Sequence, residues 1–320
     1  MARQEKIGIV GSGFIGRSWA MLFASSGYEV SIYDVKPEQV SAALEDIMQH
    51  LRSLEKSGML RGTTLASEQH KCIKGASSLK DCVEGAKLVQ ESVFEDEELK
   101  KEVLSEIDQL ADPDTILSSS TSCIVPSKLS AHLTHKANFI VCHPVNPPYY
   151  VPLVEVVPAP WTSKDVIARA GALMKEIGQS PVIFSKELPG FGLNRLQYAL
   201  LNECNNLLQS GILSAEGIDT LIKDGFGYRC AFMGPFEISA LNAHGIEDFI
   251  KRYGPTVASV TKTFAKPPSW IPEESGTLIE QVNELIPKEK LMERRQWRDM
   301  RLAALAKLKK ELKEQEASEK

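Results

Sequence analysis

Apolar and polar positions change their rhythm once along this chain. Through residue 187 short β-branched runs alternate with helical periods, and from residue 188 only helical periods remain. Lys6–Val10 is an apolar run that stops at a glycine cluster, and Ser18–Ser25 behind it reads as an apolar helix. A second run, Glu29–Tyr33, ends at Asp34. A long helical pattern then covers Pro37–Lys56, its proline near the start, where a missing N–H leaves no helical bond unmade. Further runs recur at Lys87–Gln90, Thr115–Ser118, Asn138–Cys142, Leu153–Val157 and Pro181–Phe184, with helical patterns at Glu97–Ala111 and Lys164–Ile177. The alternation predicts an α/β fold with a doubly wound, mainly parallel sheet covered by helices on both faces. Asn138–Cys142 and Leu153–Val157 are the exception: the proline-rich turn between them is too short for a crossover helix, so that pair is expected to be antiparallel.

The change at Leu188-Pro189-Gly190 predicts two domains, 1–187 and 188–320, the second all-helical. Near its end Trp297, Leu302, Leu305 and Leu308 leave one narrow apolar stripe on a charged helix. The stripe reads either as a solvated helix lying on its own domain or as a dimer contact.

Composition narrows the partners. At 43% hydrophobic and 25% charged residues, the 320-residue chain is neither disordered nor fibrous, and it is long enough to fill two cores without disulfide or metal staples. A net charge of −5 argues against nucleic acid. No apolar stretch is long enough to cross a bilayer and no signal segment is visible, so a cytoplasmic protein without a membrane partner is expected. The six cysteines show no zinc-like spacing; no metal is expected, and the thiols read as reduced packing residues.

Two constellations carry chemistry. Gly11-Ser12-Gly13-Phe14-Ile15-Gly16 is a G-x-G-x-x-G turn between a strand and a helix. Its first glycine allows the tight turn, the second lets a pyrophosphate approach the backbone, and the third lets helix pack on strand. The helix start offers unpaired N–H groups to the phosphates. Asp34, closing the second strand, is placed to accept both ribose hydroxyls and would repel a 2′-phosphate, which favours NAD over NADP; Lys36 is the one nearby cation. The second constellation is His143, ending one strand, and Glu155, interrupting Leu153-Val154-Glu155-Val156-Val157. A carboxylate in such a run needs a cation or strong donors beside it, and if the turn folds the strands together it can fix the imidazole tautomer and stabilise the imidazolium. Ser118–Ser122 leaves a strand at the ligand-binding end of the sheet and reads either as substrate-binding hydroxyls or as a polar turn capping a helix near Pro126. Asn194-Arg195 reads as helix-end polarity or as a group facing a cleft.

These motifs together resemble the 3-hydroxyacyl-CoA dehydrogenases over essentially the whole chain. The resemblance rests on Gly11–Gly16 with Asp34, Ser119-Ser120-Thr121-Ser122, His143-Pro144-Val145-Asn146-Pro147, Val154-Glu155-Val156 and Gly190-Phe191-Gly192-Leu193-Asn194-Arg195. It implies a Rossmann-type NAD domain, with Gly11, Gly13, Phe14, Ile15, Gly16 and Asp34 at the cofactor. It also implies His143 as acid/base, Glu155 as its orienting partner, and Ser122 and Asn194 as donors to the reacting oxygen. Glu95 and Lys100 are implied to border the cofactor, although by themselves they read as charges on a solvated helix face.

The acyl-CoA enzymes usually carry Ser-Asn-Thr-Ser and a pair of phenylalanines where this chain has Ser119–Ser122 and Pro144-Val145. Ser119–Cys123, His143–Tyr150, Asn194–Tyr198 and Arg294–Asp299 are similar instead to the family's L-gulonate branch. That branch implies NAD-dependent oxidation of the 3-hydroxyl of a small hydroxy acid, a homodimer formed through the helical domain, and a second service as a lens crystallin. A sugar acid also needs a cation for its carboxylate, and Arg229, read as lying in a glycine-flanked loop, is the candidate. Two alternatives stay open: a 3-hydroxyacyl-CoA dehydrogenase, and a non-catalytic NAD(H)-binding structural or sensor protein.

Overall fold

A computed structural model describes residues 5–319. They divide into two compact units, one running to Asn194 and resuming at Arg298, the other Arg195–Trp297.

The first unit is built on eight strands: β1 (Lys6–Val10), β2 (Glu29–Tyr33), β3 (Ile73–Gly75), β4 (Ala86–Glu91), β5 (Ile116–Ser119), β6 (Phe139–Pro144), β7 (Leu153–Pro158) and β8 (Ser180–Ile183). They form one sheet in the order β3-β2-β1-β4-β5-β6-β7-β8. Each neighbouring pair is parallel except β6 with β7. The helices of this unit are α1 (Phe14–Ser25), α2 (Pro37–Lys56), α3 (Ala66–Lys71), α4 (Leu79–Val83), α5 (Glu97–Leu110), α6 (Pro126–Ser130) and α7 (Lys164–Glu176).

The strand sequences explain the layers. Along a strand, alternate side chains enter opposite faces, so a strand covered on both sides must be apolar at consecutive positions. Ile116 and Leu117 in β5, or Leu88 and Val89 in β4, do this, the first of each pair packing with Trp19, Phe23 and Leu51 and the second with Leu104, Ile107 and Leu129. The expected antiparallel pair is present, with His143 directly opposite Glu155 in the register. The sheet also has an edge strand, β3, with only one buried residue among its three, too short to leave a hydrophobic pattern.

The second unit is helical: α8 (Leu193–Gln209, begun in the first unit), α9 (Ala215–Thr220), a π-helical run at Leu221–Phe226, α10 (Gly227–Cys230), α11 (Pro235–Leu241), α12 (Ile246–Thr261), α13 (Gly276–Leu285) and the start of α14 (Leu291–Ser318). The tail departs from the expected division at 188–320. The α14 residues from Arg298 onward group with the first unit, where Ala303 is buried. Among the described residues no helix is long and apolar enough to cross a membrane.

Candidate functional site

The carboxyl ends of β1, β4, β5 and β6 lie along one edge of the sheet, and the chemistry-bearing residues collect there. Open α/β sheets bind ligands at this edge, at the point where the strand order reverses, here between β1 and β4. Three strand spacings of ~4.8 Å put the β1 and β6 ends roughly 14 Å apart.

At the end of β1, Gly11 has φ +104, and a β-carbon on Gly16 would lie 1.9 Å from the Gly11 carbonyl oxygen. Both positions therefore require glycine for protein reasons. Gly13 is different: a β-carbon there meets nothing within 4 Å, so the chain's own packing does not exclude a side chain. Gly13 is also the N-cap of α1 and supplies no side-chain cap, leaving the first N–H groups turned to that open space. Asp34 Oδ2 accepts the Ser12 N–H at 2.9 Å and the Ser12 hydroxyl at 2.8 Å, while Oδ1 has a long contact to the Lys36 N–H at 3.3 Å and keeps room for hydroxyl donors. Bare glycine, uncapped helix start and carboxylate fit a dinucleotide.

At the end of β6, His143 Nδ1 lies 2.8 Å from Glu155 Oε2. Both side chains are almost wholly buried. Burial works against the Glu155 carboxylate, but hydrogen bonds from His143 and from the Leu193 and Gly192 N–H groups outweigh it and hold its pKa below the ordinary 4.5. An ionised carboxylate only accepts, so Nδ1 carries the proton and Nε2 of the neutral ring is the basic nitrogen. Glu155 Oε1 takes Gly192 N–H at 2.9 Å and Leu193 N–H at 2.8 Å, so the carboxylate also caps the start of α8. The turn into that helix is made by Gly190 (φ +73) and Phe191 (φ +50), whose fully buried ring packs on the imidazole with centroids 5.7 Å apart.

Ser122 and Asn194 are brought together, but as placed they donate to the chain. The Ser122 hydroxyl points to Glu95 Oε1 at 3.1 Å, and Asn194 Nδ2 donates to Ser122 O at 2.8 Å and to Cys123 Sγ at 3.3 Å. The serine segment does not cap α6, whose N-cap is Val125 with no side-chain bond. Ser120 is instead the hub of a half-buried polar cluster: its Oγ meets Trp19 Nε1 at 3.1 Å, Gln90 Nε2 at 2.7 Å and Ser92 Oγ at 2.9 Å.

Two expectations are corrected. Lys100 is not on a solvated face; it is 1% exposed, with Nζ on Glu91 Oε1, the Val93 carbonyl and Glu95 Oε2. Arg229 is exposed but lies in the helix α10, continuous with the π-helical run, and not in a loop.

Comparison with known proteins places this geometry. The sequence profile described as "3-hydroxyacyl-CoA dehydrogenase, NAD binding domain" matches residues 6–188, and the "3-hydroxyacyl-CoA dehydrogenase, C-terminal domain" matches 190–273. The chain belongs to the 3-hydroxyacyl-CoA dehydrogenase family. As in that family, its first part is a Rossmann-type NAD-binding domain followed by a helical one, and its cofactor is NAD. Among family members, lambda-crystallin of Oryctolagus cuniculus is 47% identical over 313 residues, 96% of this chain and 97% of the relative. L-carnitine dehydrogenase of Oceanobacillus iheyensis is 36% identical over 256 residues, 79% and 81% of the two chains. Among solved structures, 5-formyl-3-hydroxy-2-methylpyridine 4-carboxylic acid 5-dehydrogenase, an NAD+ dependent dismutase, superposes with a TM-score of 0.81 at 27% identity, covering 98% of this chain and 99% of that one.

Glu91 is the residue the sequence reading missed. It closes the apolar strand Leu88-Val89-Gln90-Glu91 just as Glu155 interrupts its own, so the same signal, a carboxylate in a buried run, was there to find it.

Proposed function

We propose that this protein is an NAD-dependent dehydrogenase that oxidises the 3-hydroxyl of a small free 3-hydroxy acid, L-gulonate foremost, to the 3-keto acid. The observation that carries the reading is the 2.8 Å contact of His143 Nδ1 with a Glu155 carboxylate held ionised, which leaves Nε2 as a base at the ligand-binding edge.

Bound NAD supplies the hydride acceptor. Gly13 and the start of α1 would hold its phosphates and Asp34 its adenosine ribose. His143 Nε2 takes the proton of the substrate hydroxyl as the C–H bond breaks, a role worth roughly 100- to 10,000-fold in rate. Glu155 stabilises the cation that results, and the two helix N–H groups on Oε1 keep its second oxygen from turning away. Ser122, once its hydroxyl turns from Glu95, donates to the reacting oxygen, where a fixed donor counts most. The free-acid reading is supported by the 47% identity to lambda-crystallin along nearly the whole chain and by L-carnitine, itself an unesterified 3-hydroxy acid, being the substrate named for a second relative.

The test is NADH formation with L-gulonate, 3-hydroxybutyrate, L-carnitine and a 3-hydroxyacyl-CoA, on wild type and His143→Gln. Turnover of a free hydroxy acid, lost by about 100-fold or more in the variant, is expected. Turnover with the thioester alone overturns the substrate class, and an unimpaired His143→Gln overturns the base.

A further inference from the structure

Trp19 of α1, Gln90 of β4, Ser92 just past β4 and Ser120 just past β5 converge on one oxygen, Ser120 Oγ. Trp19 and Gln90 are fully buried, Ser92 and Ser120 half-buried. A hydroxyl has one proton to give and two lone pairs to fill. The indole nitrogen of Trp19, 3.1 Å from Ser120 Oγ, can only donate. An amide can turn either end to a hydroxyl, but the end of Gln90 that lies 2.7 Å from Ser120 Oγ also lies 3.4 Å from the Cys142 carbonyl. A carbonyl only accepts, so that end is the NH2. Two donors thus fill both lone pairs of Ser120, and its own proton goes to Ser92 Oγ at 2.9 Å. Every bond runs the same way, from the buried indole and amide toward the edge of the sheet. The chain ends on Ser92, whose hydroxyl proton none of the described residues accepts.

Ser92 stands where that proton has a use. Its N–H donates to the Val10 carbonyl at 2.7 Å, and a β-carbon on Gly11 would lie 2.6 Å from its carbonyl oxygen. Ser92 therefore abuts the first glycine of the turn, where the strand order reverses between β1 and β4. Each donated bond polarises the next, so the two buried N–H groups strengthen the donor at the far end. A donor of this kind is best matched by an anionic oxygen, and the glycine turn is the part of the fold that receives phosphates. We propose that Ser92 is a further cofactor-binding residue, its hydroxyl donating to a pyrophosphate oxygen of NAD, and that Ser120 is the positioning residue that turns the Ser92 proton toward it.

The test is calorimetric titration of two ligands, NADH and ADP-ribose, the second of which keeps the pyrophosphate and lacks the nicotinamide. The proteins are wild type, Ser92→Ala, Ser120→Ala and the double variant, with thermal unfolding of each as the control for folding. Loss of one hydrogen bond to a charged group is expected to raise Kd for both ligands by roughly 10- to 100-fold in Ser92→Ala, with Tm little changed. Ser120→Ala leaves the Ser92 hydroxyl in place but frees its rotor, so both Kd values should rise by less, roughly threefold. The double variant should bind no more weakly than Ser92→Ala, because Ser120 acts through Ser92. Wild-type affinity in a folded Ser92→Ala overturns the proposal. Weakened NADH with unaltered ADP-ribose would put the partner of Ser92 on the nicotinamide half and overturn the pyrophosphate assignment. Losses that multiply in the double variant would show Ser120 acting by another route and overturn its positioning role.

Discussion

The imidazole of His143 is useful only in one tautomer, and a single neighbour chooses it. Glu155→Gln puts an amide beside Nδ1, whose NH2 can donate; the ring then carries its proton on Nε2 and cannot accept one. The expected loss in kcat reaches about 10,000-fold, the cost of the same tautomer error in a serine-protease triad. The substitution also reports on stability. A carboxyl whose folded pKa is held down contributes stability that is complete above its ordinary value of 4.5 and is lost as pH falls through the folded value. The difference in unfolding free energy between wild type and Glu155→Gln should therefore be flat above about pH 5 and shrink below it. Arg229, exposed on α10, remains the proposed partner of the substrate carboxylate. Arg229→Met is expected to raise KM for a sugar acid by roughly tenfold with little change in kcat, the sign of binding lost equally in ground and transition states.

Elements set these residues in place, and their legibility in the sequence differed for physical reasons. Strand, glycine turn and helix could be read because each position there has one demanding neighbour: Gly16 has the Gly11 carbonyl, Gly11 a positive φ. The two glycines flanking Phe14-Ile15 should separate in experiment. Gly13→Ala should fold normally and bind NADH weakly, whereas Gly16→Ala should lower Tm, as melting and NADH titration would show. The antiparallel pair was legible from the short connection, and with it the meeting of His143 and Glu155. The hydroxyls of Ser119–Ser122 were not, because a hydroxyl satisfies itself with whatever lies closest; Ser120 and Ser122 turn to Gln90 and Glu95, about thirty residues away in sequence. A further long-range tie joins α2 to the loop after β6: His50 Nε2 lies 2.8 Å from the Tyr150 hydroxyl. Burial holds the His50 pKa below 6.5, against the pull of the Asp299 carboxylate, and pushes the Tyr150 hydroxyl to about 12. A histidine kept neutral in the fold contributes stability that is present above pH 6.5 and lost as pH falls below it. His50→Asn should flatten that part of the acid-unfolding curve.

At the scale of the whole molecule, the helical unit has little to hold it together by itself. Its buried cluster is Leu208, Ala215 and Ile218, while Leu196, Tyr228, Phe236 and Leu241 are more than two-thirds exposed. So much apolar surface calls for a partner, and we propose a second copy of this chain. Light scattering should give twice the 35.3 kDa of the chain, and Phe236→Glu should shift it toward one copy. The tail was misassigned from sequence because its stripe of Leu302 and Leu305 says that it packs but not on what. From Arg298 it rejoins the first unit, bringing Asp299 within electrostatic reach of His50 and Tyr150. The dinucleotide-binding half is thus written in two instalments, with the helical half inserted between them. A nascent chain stalled before Arg298 therefore carries every residue of the proposed chemistry yet lacks the stretch whose Asp299 carboxylate acts on His50.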